Sequence, residues 1–328
     1  MPEKRMRPAV GAAMAIALSG CGPAATPPVV VPPSSRSAPS AAERAASPST
    51  TDATLVMLGT GTPNPDPDHS GPALAIIARG KVYLVDAGAG VVRRAAAAQK
   101  AGVKELTMPA LDRVFLTHLH SDHTIGLPDL MLTPWVLDRT EPLTVYGPPG
   151  TANLVDHLEQ AYAADIDDRL RGLEPINRTG WQAKAVEIAP GVVYRGDGMT
   201  ITVFAVQHAN WAHAYGYTFQ TAQRRIVVSG DTVPVEEVVR QCNGCDVLVH
   251  EVYSTAGFAR RTKDWQAYHA GAHTSTAQLA QLALRAKPKL LVLYHQLYWG
   301  SSDADLLREI QAAGYHGKVV SARDLDVY

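Results

Sequence analysis

The stretch THLHSDH, residues 117–123, directly follows the apolar run VFL and places three histidines and an aspartate within six positions. The apolar run predicts a buried strand that ends where the polar residues begin. Because side chains alternate along an extended chain, His118 and His120 point to the same side, and Asp122 and His123 can serve a second point after the turn. Imidazole and carboxylate donors without thiolate suit a catalytic zinc-type ion that keeps one coordination position open. The stretch therefore predicts two neighbouring metal positions rather than a solvated loop.

Three further polar residues each follow a predicted buried strand: His208, Asp231 and His295. Asp231 comes straight out of the apolar segment 226–230, and a buried carboxylate needs a strong compensating partner. A pair of dications would supply that partner. An ordinary half-buried histidine and a turn-forming aspartate are the alternatives at these positions.

The rest of the chain is patterned as short strands separated by amphipathic helices. Apolar runs rich in β-branched residues predict strands over 54–58, 73–78, 81–85, 113–116, 143–146, 200–206, 214–219, 225–228, 246–249, 289–293 and 318–320. Helical periodicity predicts helices over 91–101, 151–164, 235–242, 274–286 and 303–313. Thr274 and Ser275 are N-cap candidates, and Gly314 is a candidate stop. The pattern alone establishes an α/β chain rich in strands.

The N-terminal segment has the composition of an export signal and a tether. Residues 1–20 have a positive start and an apolar run too short to span a bilayer, which is typical of a secretory signal peptide. Residues 18–21 resemble a bacterial lipobox, which implies lipidation of Cys21, with an ordinary cleaved signal as the alternative. Residues 21–53, the lipidated cysteine and a stretch rich in Pro, Ala and Ser, predict a disordered tether. We therefore expect a periplasmic or cell-surface lipoprotein anchored in a bacterial membrane, in which Cys242 and Cys245 form a local disulfide rather than a metal or redox pair.

Several short motifs give the chain a family resemblance that runs from about residue 54 to the C-terminus. They are the 117–123 stretch, GTGTP at 59–63, VDAG at 85–88, GDT at 230–232, the pair His250-Glu251, and His295 after a buried strand. Together they resemble the metallo-β-lactamase superfamily, and within it the branch that contains ribonuclease Z and arylsulfatase-type enzymes. The resemblance implies a single α/β domain over 54–328, a four-layer αββα sandwich with its ligands on loops along one edge of two sheets.

The resemblance also implies a complete ligand set for two divalent metal ions. The first ion would be held by His118, His120 and His208. The second would be held by Asp122, His123 and His295. Asp231 would bridge the two ions. Zinc is favoured, and manganese or iron are alternatives because a set of nitrogen and oxygen donors accommodates all three.

A catalytic proton donor follows from the same resemblance. His273, directly ahead of a predicted helix, matches the family's general acid, and Glu251 matches the glutamate that fixes its tautomer. Asp122 is predicted to be a catalytic residue as well as a ligand of the second metal ion. His269 is the alternative general acid, and His250 is expected either to be structural or to support the metal ligands without binding the metal itself.

Other polar and aromatic residues near the motifs have roles that the sequence leaves open. Asp86 is either an anchor for the ligand loops or a plain turn carboxylate. Trp211 and His213 either line the substrate cleft or belong to an ordinary loop.

Charge and loop length bear on the substrate. The formal net charge is −1, so no basic face for a nucleic-acid backbone is evident. Only residues 220–224 separate two predicted strands where ribonuclease Z enzymes carry a long arm for tRNA, so nucleic acid is not expected as a partner. The Asn-Pro-Asp-Pro-Asp segment at 64–68 looks like the arylsulfatase type. β-Lactams are disfavoured because Asp231 replaces the ligand typical of true lactamases.

We therefore expect an exported hydrolase of small sulfate or phosphate esters, with a metal-bridging hydroxide as nucleophile. The alternatives are a ribonuclease Z-like endoribonuclease, a lactone or thioester hydrolase, and a metal-binding or sensor protein without turnover. A homodimer is compatible with the sequence.

Overall fold

Residues 52–328 are described by the structure, a computed structural model. The predicted signal peptide, the lipidation site Cys21 and all but the last two residues of the predicted tether lie outside that range. Within residues 52–328, no helix combines the length and the apolar character that crossing a membrane requires.

Two mixed sheets form the centre of the molecule. The first has six strands in the order β1 (Ala53–Gly59), β2 (Ala73–Ala78), β3 (Lys81–Val85), β4 (Arg113–Phe115), β5 (Leu143–Gly147) and β6 (Ala183–Glu187). The second has seven strands in the order β13 (Val319–Ser321), β12 (Leu291–Leu297), β11 (Val247–Tyr253), β10 (Arg225–Val228), β9 (Ala214–Gln220), β8 (Met199–Val206) and β7 (Gly191–Gly196). In each sheet a parallel half adjoins an antiparallel half.

The α-helices of the described residues lie between these strands in the chain. They are α1 (Val91–Lys100), α2 (Ser121–Thr124), α3 (Leu127–Val136), α4 (Thr151–Ala161), α5 (Ala163–Arg171), α6 (Glu236–Cys242), α7 (Thr255–Ala259), α8 (Lys263–Ala272), α9 (Thr276–Ala286) and α10 (Asp303–Ala312). Ser275 caps α9 in a capping box with Gln278. Cys242 and Cys245 are joined in the expected disulfide at the end of α6.

Three apolar clusters define four layers. The central cluster joins the inner faces of both sheets, with Met57 from one and Val249 from the other. A second cluster packs α1, α3 and α4 against the outer face of the first sheet, and a third packs α6, α9 and α10 against the outer face of the second. The observed architecture therefore confirms the predicted αββα sandwich in a single domain.

Parallel strands bring the candidate site residues to one edge. The carboxyl ends of neighbouring parallel strands meet at the same side of a sheet, where ligands commonly bind. The loops after β4 and β10 leave from such ends. The loop after β4 carries the 117–123 stretch of the first sheet and the loop after β10 carries Asp231 of the second, and the two loops meet where His123 contacts Asp231.

His295 lies inside a strand, which differs from the prediction. Residues Glu251 and Val252 of β11 pair with Tyr294 and Gln296 of β12, so His295 is the extra residue of a β-bulge. Its φ of 45° is left-handed. A bulge re-aims a side chain next to a functional site, and here it turns the imidazole toward the edge where the other candidate residues lie.

The sequence pattern misplaced or missed several elements. The helix predicted over 151–164 is two helices, α4 and α5. Helix α3 was not predicted because its sequence, LPDLMLTPWV, is apolar almost throughout and contains an internal proline. Strands β6 and β7 were missed because their residues are mostly half-buried or exposed. The turn between β9 and β10 is short, as expected, and spans only 221–224.

Candidate metal centre

The first group of predicted ligands converges from both sheets. His118 and His120 follow β4, and His208 follows β8. Nδ1 of His120 lies 2.9 Å from Nε2 of His118 and 3.1 Å from Nε2 of His208. His118 and His208 are buried, whereas His120 is partly exposed. Three ring nitrogens therefore face one point.

The second group surrounds the carboxylate of Asp231. Oδ2 of Asp231 lies 3.5 Å from Nε2 of His123 and 3.4 Å from Nε2 of His295. Oδ2 of Asp122 lies 3.5 Å and 3.3 Å from the same two nitrogens. Oδ2 of Asp231 is also 4.0 Å from Nε2 of His208, a member of the first group. Asp231 thus stands between the two groups, where a bridging ligand would stand.

The donor atoms fit divalent metal ions. Tetrahedral coordination with bonds of about 2.0–2.1 Å separates neighbouring donors by roughly 3.3 Å. The nearest donor pairs in the two groups are 2.9 to 3.5 Å apart. Nε2 of His123 and Oδ1 of Asp231 are buried without a hydrogen-bond partner among residues 52–328. Since buried polar atoms are ordinarily paired, these two atoms mark a place for a cation.

The environment gives His118, His120 and Asp231 the protonation states that metal coordination needs, whereas the carboxylates around His123 and His295 outweigh burial and raise the pKa of both imidazoles, whose protons a metal ion would have to displace. Burial lowers the pKa of His118 well below its ordinary value and that of His120 to about 4, so both imidazoles are neutral at pH 7. Burial alone would raise the pKa of Asp231, but His295 and His123 outweigh it and hold that pKa well below the usual range. Neutral imidazole and ionised carboxylate are the forms that bind a metal ion.

Asp86 supports both the 117–123 loop and the second group. Its Oδ1 accepts a hydrogen bond of 2.8 Å from the backbone N–H of Thr117, and its Oδ2 lies 2.8 Å from Nδ1 of His123. Asp86 is only 1% exposed and has a left-handed φ of 60°. These contacts identify it as an anchor for the ligand loop rather than a plain turn carboxylate.

Comparison with known proteins gives this site a family. The family model described as a beta-lactamase superfamily domain matches residues 81–296. The chain belongs to the metallo-β-lactamase superfamily. The chain is 35% identical over 279 residues to a ribonuclease Z of Mycobacterium marinum, an alignment that covers 83% of this chain and 96% of that protein. A ribonuclease Z of Mycobacterium bovis is 34% identical with the same coverage. The chain is therefore a superfamily hydrolase close to the ribonuclease Z branch.

Solved structures show the same fold at low sequence identity. The short form of human tRNase Z matches with a TM-score of 0.61 at 22% identity, covering 84% of this chain and 98% of that one. YhfI of Bacillus subtilis, a metallo-β-lactamase fold protein, matches with a TM-score of 0.64 at 16% identity, covering 84% of this chain and 98% of that one. The superfamily fold and the His/Asp groups together support binding of divalent metal ions.

In this metallo-β-lactamase hydrolase, the predicted general acid His273 lies against the ligand groups. Its ring centroid is 5.0 Å from that of His208 and 5.8 Å from that of His295. Burial lowers the pKa of His273 to about 4, so its imidazole is neutral at pH 7 and has to take up a proton before it can act as a general acid. The structure thus places His273 beside the ligand groups, where a proton donor would have to lie. Its role as general acid stays a prediction.

The contact expected between Glu251 and His273 differs from the prediction. Oε1 of Glu251 lies 3.4 Å from Nδ1 of His273, which is too long for a good hydrogen bond. That oxygen instead accepts from the backbone N–H groups of Thr232, at 3.2 Å, and Thr274, at 2.9 Å. Burial and the nearby Asp231 raise the pKa of Glu251 to about 8. Glu251 therefore fixes the loops on both sides of the site, and it approaches His273 without bonding to it.

The other histidines near the site have distinct surroundings. His269 stacks on Trp265 with ring centroids 5.5 Å apart, and lies outside the groups of residues that could hold a metal. His250 is fully buried, and its Nδ1–H donates to the carbonyl of Glu251 at 2.7 Å, which agrees with the expected structural role.

Trp211 and His213 separate in the structure. Nε1 of Trp211 lies 2.6 Å from Nε2 of His120, so Trp211 touches the first ligand group directly. His213 is exposed, and its ring lies near Tyr215. Trp211 is therefore the member of this pair that contacts the site.

A cavity of about 650 Å³ opens beside the two ligand groups. Its lining includes His120, Asp122, Asp231, His273 and His295. It also includes Arg261, Trp265, Tyr268 and Trp299, which sequence reasoning missed. The aromatic cluster WQAYH at 265–269 was the available signal, but α8, which carries it, was not predicted.

Proposed function

We propose that this hydrolase is a dinuclear metal-dependent phosphodiesterase of the ribonuclease Z type. The observation that carries the proposal is the convergence of seven donor side chains on two adjacent points that share Asp231. Relatives named ribonuclease Z, which align over nearly their whole length, support a phosphodiester as the bond that is cleaved. Their name also argues against the expectation that nucleic acid is not a partner.

The proposed ligand assignment follows the two groups. His118, His120 and His208 would hold one ion, and Asp122, His123 and His295 the other, with Asp231 shared. When bound, such a pair of ions supplies Lewis acidity and lowers the proton affinity of a water nucleophile. Zinc is the proposed metal, with manganese and iron as alternatives.

The remaining steps belong to side chains of the cavity. His273 would give its proton to the leaving oxygen, since its ring lies against His208 and His295. Glu251 would hold the His273 segment in place through the backbone N–H of Thr274. The carboxylate of Asp122, partly open to the cavity, would orient the nucleophile in addition to holding the metal.

A second candidate is a hydrolase of small aryl sulfates or phosphates. The short turn at 221–224 and the net charge of −1 favour it, since neither offers a surface for a large RNA. The aromatic residues that line the cavity, Trp265, Tyr268 and Trp299, would also contact a small aromatic leaving group.

We further propose that the protein is exported as a lipoprotein. Residues 1–20 would be the signal peptide, Cys21 the lipidated residue and 21–53 a tether that holds the domain at 54–328 away from a bacterial membrane. The disulfide between Cys242 and Cys245 is compatible with an oxidising compartment.

A substrate panel on the metal-loaded full chain tests the proposed reaction. The panel contains an RNA hairpin with a 3′ single-stranded extension, bis(p-nitrophenyl) phosphate, p-nitrophenyl sulfate, a lactone and a thioester. We expect cleavage of both phosphodiesters by the wild type and by D167N, an exposed control on α5, and loss of that cleavage in D231N. Turnover of only the sulfate, the lactone or the thioester would overturn the phosphodiesterase assignment, and metal binding without any turnover would indicate a binding protein.

A further inference from the structure

The cavity beside the ligand groups is also lined by aromatic rings. We call Trp265, Tyr268 and Trp299 the aromatic wall. The rings of Trp265 and Tyr268 meet edge to face with centroids 5.8 Å apart. Trp265 is 49% exposed and Tyr268 is 40% exposed, although both line the cavity. Exposed aromatic surface gathered in a cavity is typical of a place where a ligand covers it.

A single arginine stands within this wall. The guanidinium carbon of Arg261 lies 5.4 Å from the ring centroid of Trp265 and 5.4 Å from that of Trp299. Its Nε is buried without a hydrogen-bond partner among residues 52–328. Within the same range its side chain forms no ion pair. Arg261 is thus a planar cation, held between two indoles, with donors left for an anionic group.

The wall and the arginine are held in position by neighbouring hydrogen bonds. The amide of Gln266 donates to the carbonyls of Phe258, Ala259 and Arg261 and so fixes the turn between α7 and α8. The guanidinium of Arg260 donates to the carbonyl of Trp299 at 2.9 Å. A ligand would therefore meet a wall that is already arranged.

We propose that the aromatic wall and Arg261 form a subsite for a planar aromatic ring linked to phosphate, with a nucleobase as the favoured ring. The base would stack on Trp265 with the perpendicular ring of Tyr268 against its edge, and Arg261 would pair with a phosphate next to the one at the ligand groups. This inference rests on the proposed phosphodiesterase function and names the chemistry of its substrate. Stacking of one base on an aromatic side chain typically strengthens binding by about tenfold or more, and Arg suits the bidentate recognition of phosphate.

Equilibrium binding to the metal-loaded full chain tests the subsite without any turnover. The probes are AMP, ribose 5-phosphate, which lacks the base, adenosine 3′,5′-bisphosphate, which adds a phosphate, and p-nitrophenyl phosphate. We expect AMP to bind about tenfold more tightly than ribose 5-phosphate, and the bisphosphate to bind more tightly than AMP. W265A should remove the first difference, and R261M should remove the second. R195M, an exposed arginine on β7, should remove neither.

The outcomes separate the subsite from the proposed reaction. Equal affinity of AMP and ribose 5-phosphate for the wild type would overturn the subsite even if phosphodiesters are cleaved. Base-dependent binding that W265A removes would support the subsite even if no phosphodiester is cleaved. Equal binding of p-nitrophenyl phosphate and AMP would support the subsite and assign it to aryl rings in general. Because Trp265 is about half exposed, W265A should still fold, and circular dichroism checks that it does.

Discussion

The carboxylate of Asp86 lies 2.8 Å from Nδ1 of His123 and so directs the other ring nitrogen, Nε2, toward Asp231. A histidine that donates through one nitrogen to a carboxylate keeps the lone pair of the other for a metal, and such partners typically alter metal affinity by about 10–100-fold. Asp86 also holds Thr117 at the start of the ligand loop. It therefore positions the loop and the ring together.

Replacing Asp86 by asparagine should weaken the second metal position. Asparagine has only one acceptor oxygen, whereas the two carboxylate oxygens of Asp86 accept separately from the backbone N–H of Thr117 and from Nδ1 of His123. We expect the affinity for the more weakly held ion to fall by about 10–100-fold, measured by competition with a chromogenic chelator. D167N serves as the control on an exposed helix, and an affinity within twofold of wild type in D86N would count against the anchoring role.

The contact of Trp211 with His120 should break when metal binds. A neutral imidazole carries one proton, and an indole N–H can only donate. If Nδ1 of His120 binds a metal, its proton must sit on Nε2, which then cannot accept from Trp211 at 2.6 Å.

The indole N–H resonances of the tryptophans report this change directly. In a ¹⁵N-labelled sample, the signal of Trp211, assigned by its absence in W211F, should shift on addition of metal. The signal of Trp181, which donates to the carbonyl of Arg178, should stay in place. An unchanged Trp211 signal at full metal loading would show that His120 does not use Nδ1 as a ligand.

Removal of the His273 imidazole should slow the reaction according to the leaving group. H273A is expected to lose about a hundredfold in rate on phosphodiesters with poorly activated leaving groups, and much less on p-nitrophenyl esters, because the better leaving group needs no proton. Metal content should stay at the wild-type level. H213A is the matched control, since His213 is exposed, and an equal loss on all leaving groups in H273A would argue against a general acid.

Asp303 ties Ser321 of the last strand to Tyr298 and should make stability depend on pH. It accepts hydrogen bonds from Tyr298 at 2.7 Å and Ser321 at 2.8 Å, and it pairs with Arg323 at 3.1 Å. Burial would raise its pKa, but these donors outweigh burial, so its pKa is below the ordinary value. The stabilisation is therefore complete above the unfolded pKa of about 3.9 and is lost as the pH falls through the lower folded value.

D303N tests that linkage. At pH 7 the variant should be less stable by about 1.5–3 kcal/mol, the usual range for hydrogen bonds to a charged group, measured by denaturant unfolding. The difference between wild type and variant should shrink as the pH falls below about 4. If the difference in stability between wild type and D303N is the same at pH 7 and at pH 3, the ionised carboxylate of Asp303 is not its cause.

The local parts of the site could be predicted from the sequence, and the long-range parts could not. His118 to His123 were predictable because alternation and a strand end are properties of a few adjacent residues. The bulge that aims His295 depends on the register between β11 and β12, and the 3.4 Å gap between Glu251 and His273 depends on backbone N–H groups from two other loops. Trp265 was missed because α8, which carries it, was not predicted, and its place in the cavity lining depends on how that helix packs.

Elemental analysis of the purified full chain tests the central claim most directly. The account predicts about two divalent ions per chain in the wild type and in H213A, and a marked loss in D231N, because Asp231 stands between both groups. A wild-type chain that is folded, exposed to zinc, manganese and iron, and still binds none of them would contradict it.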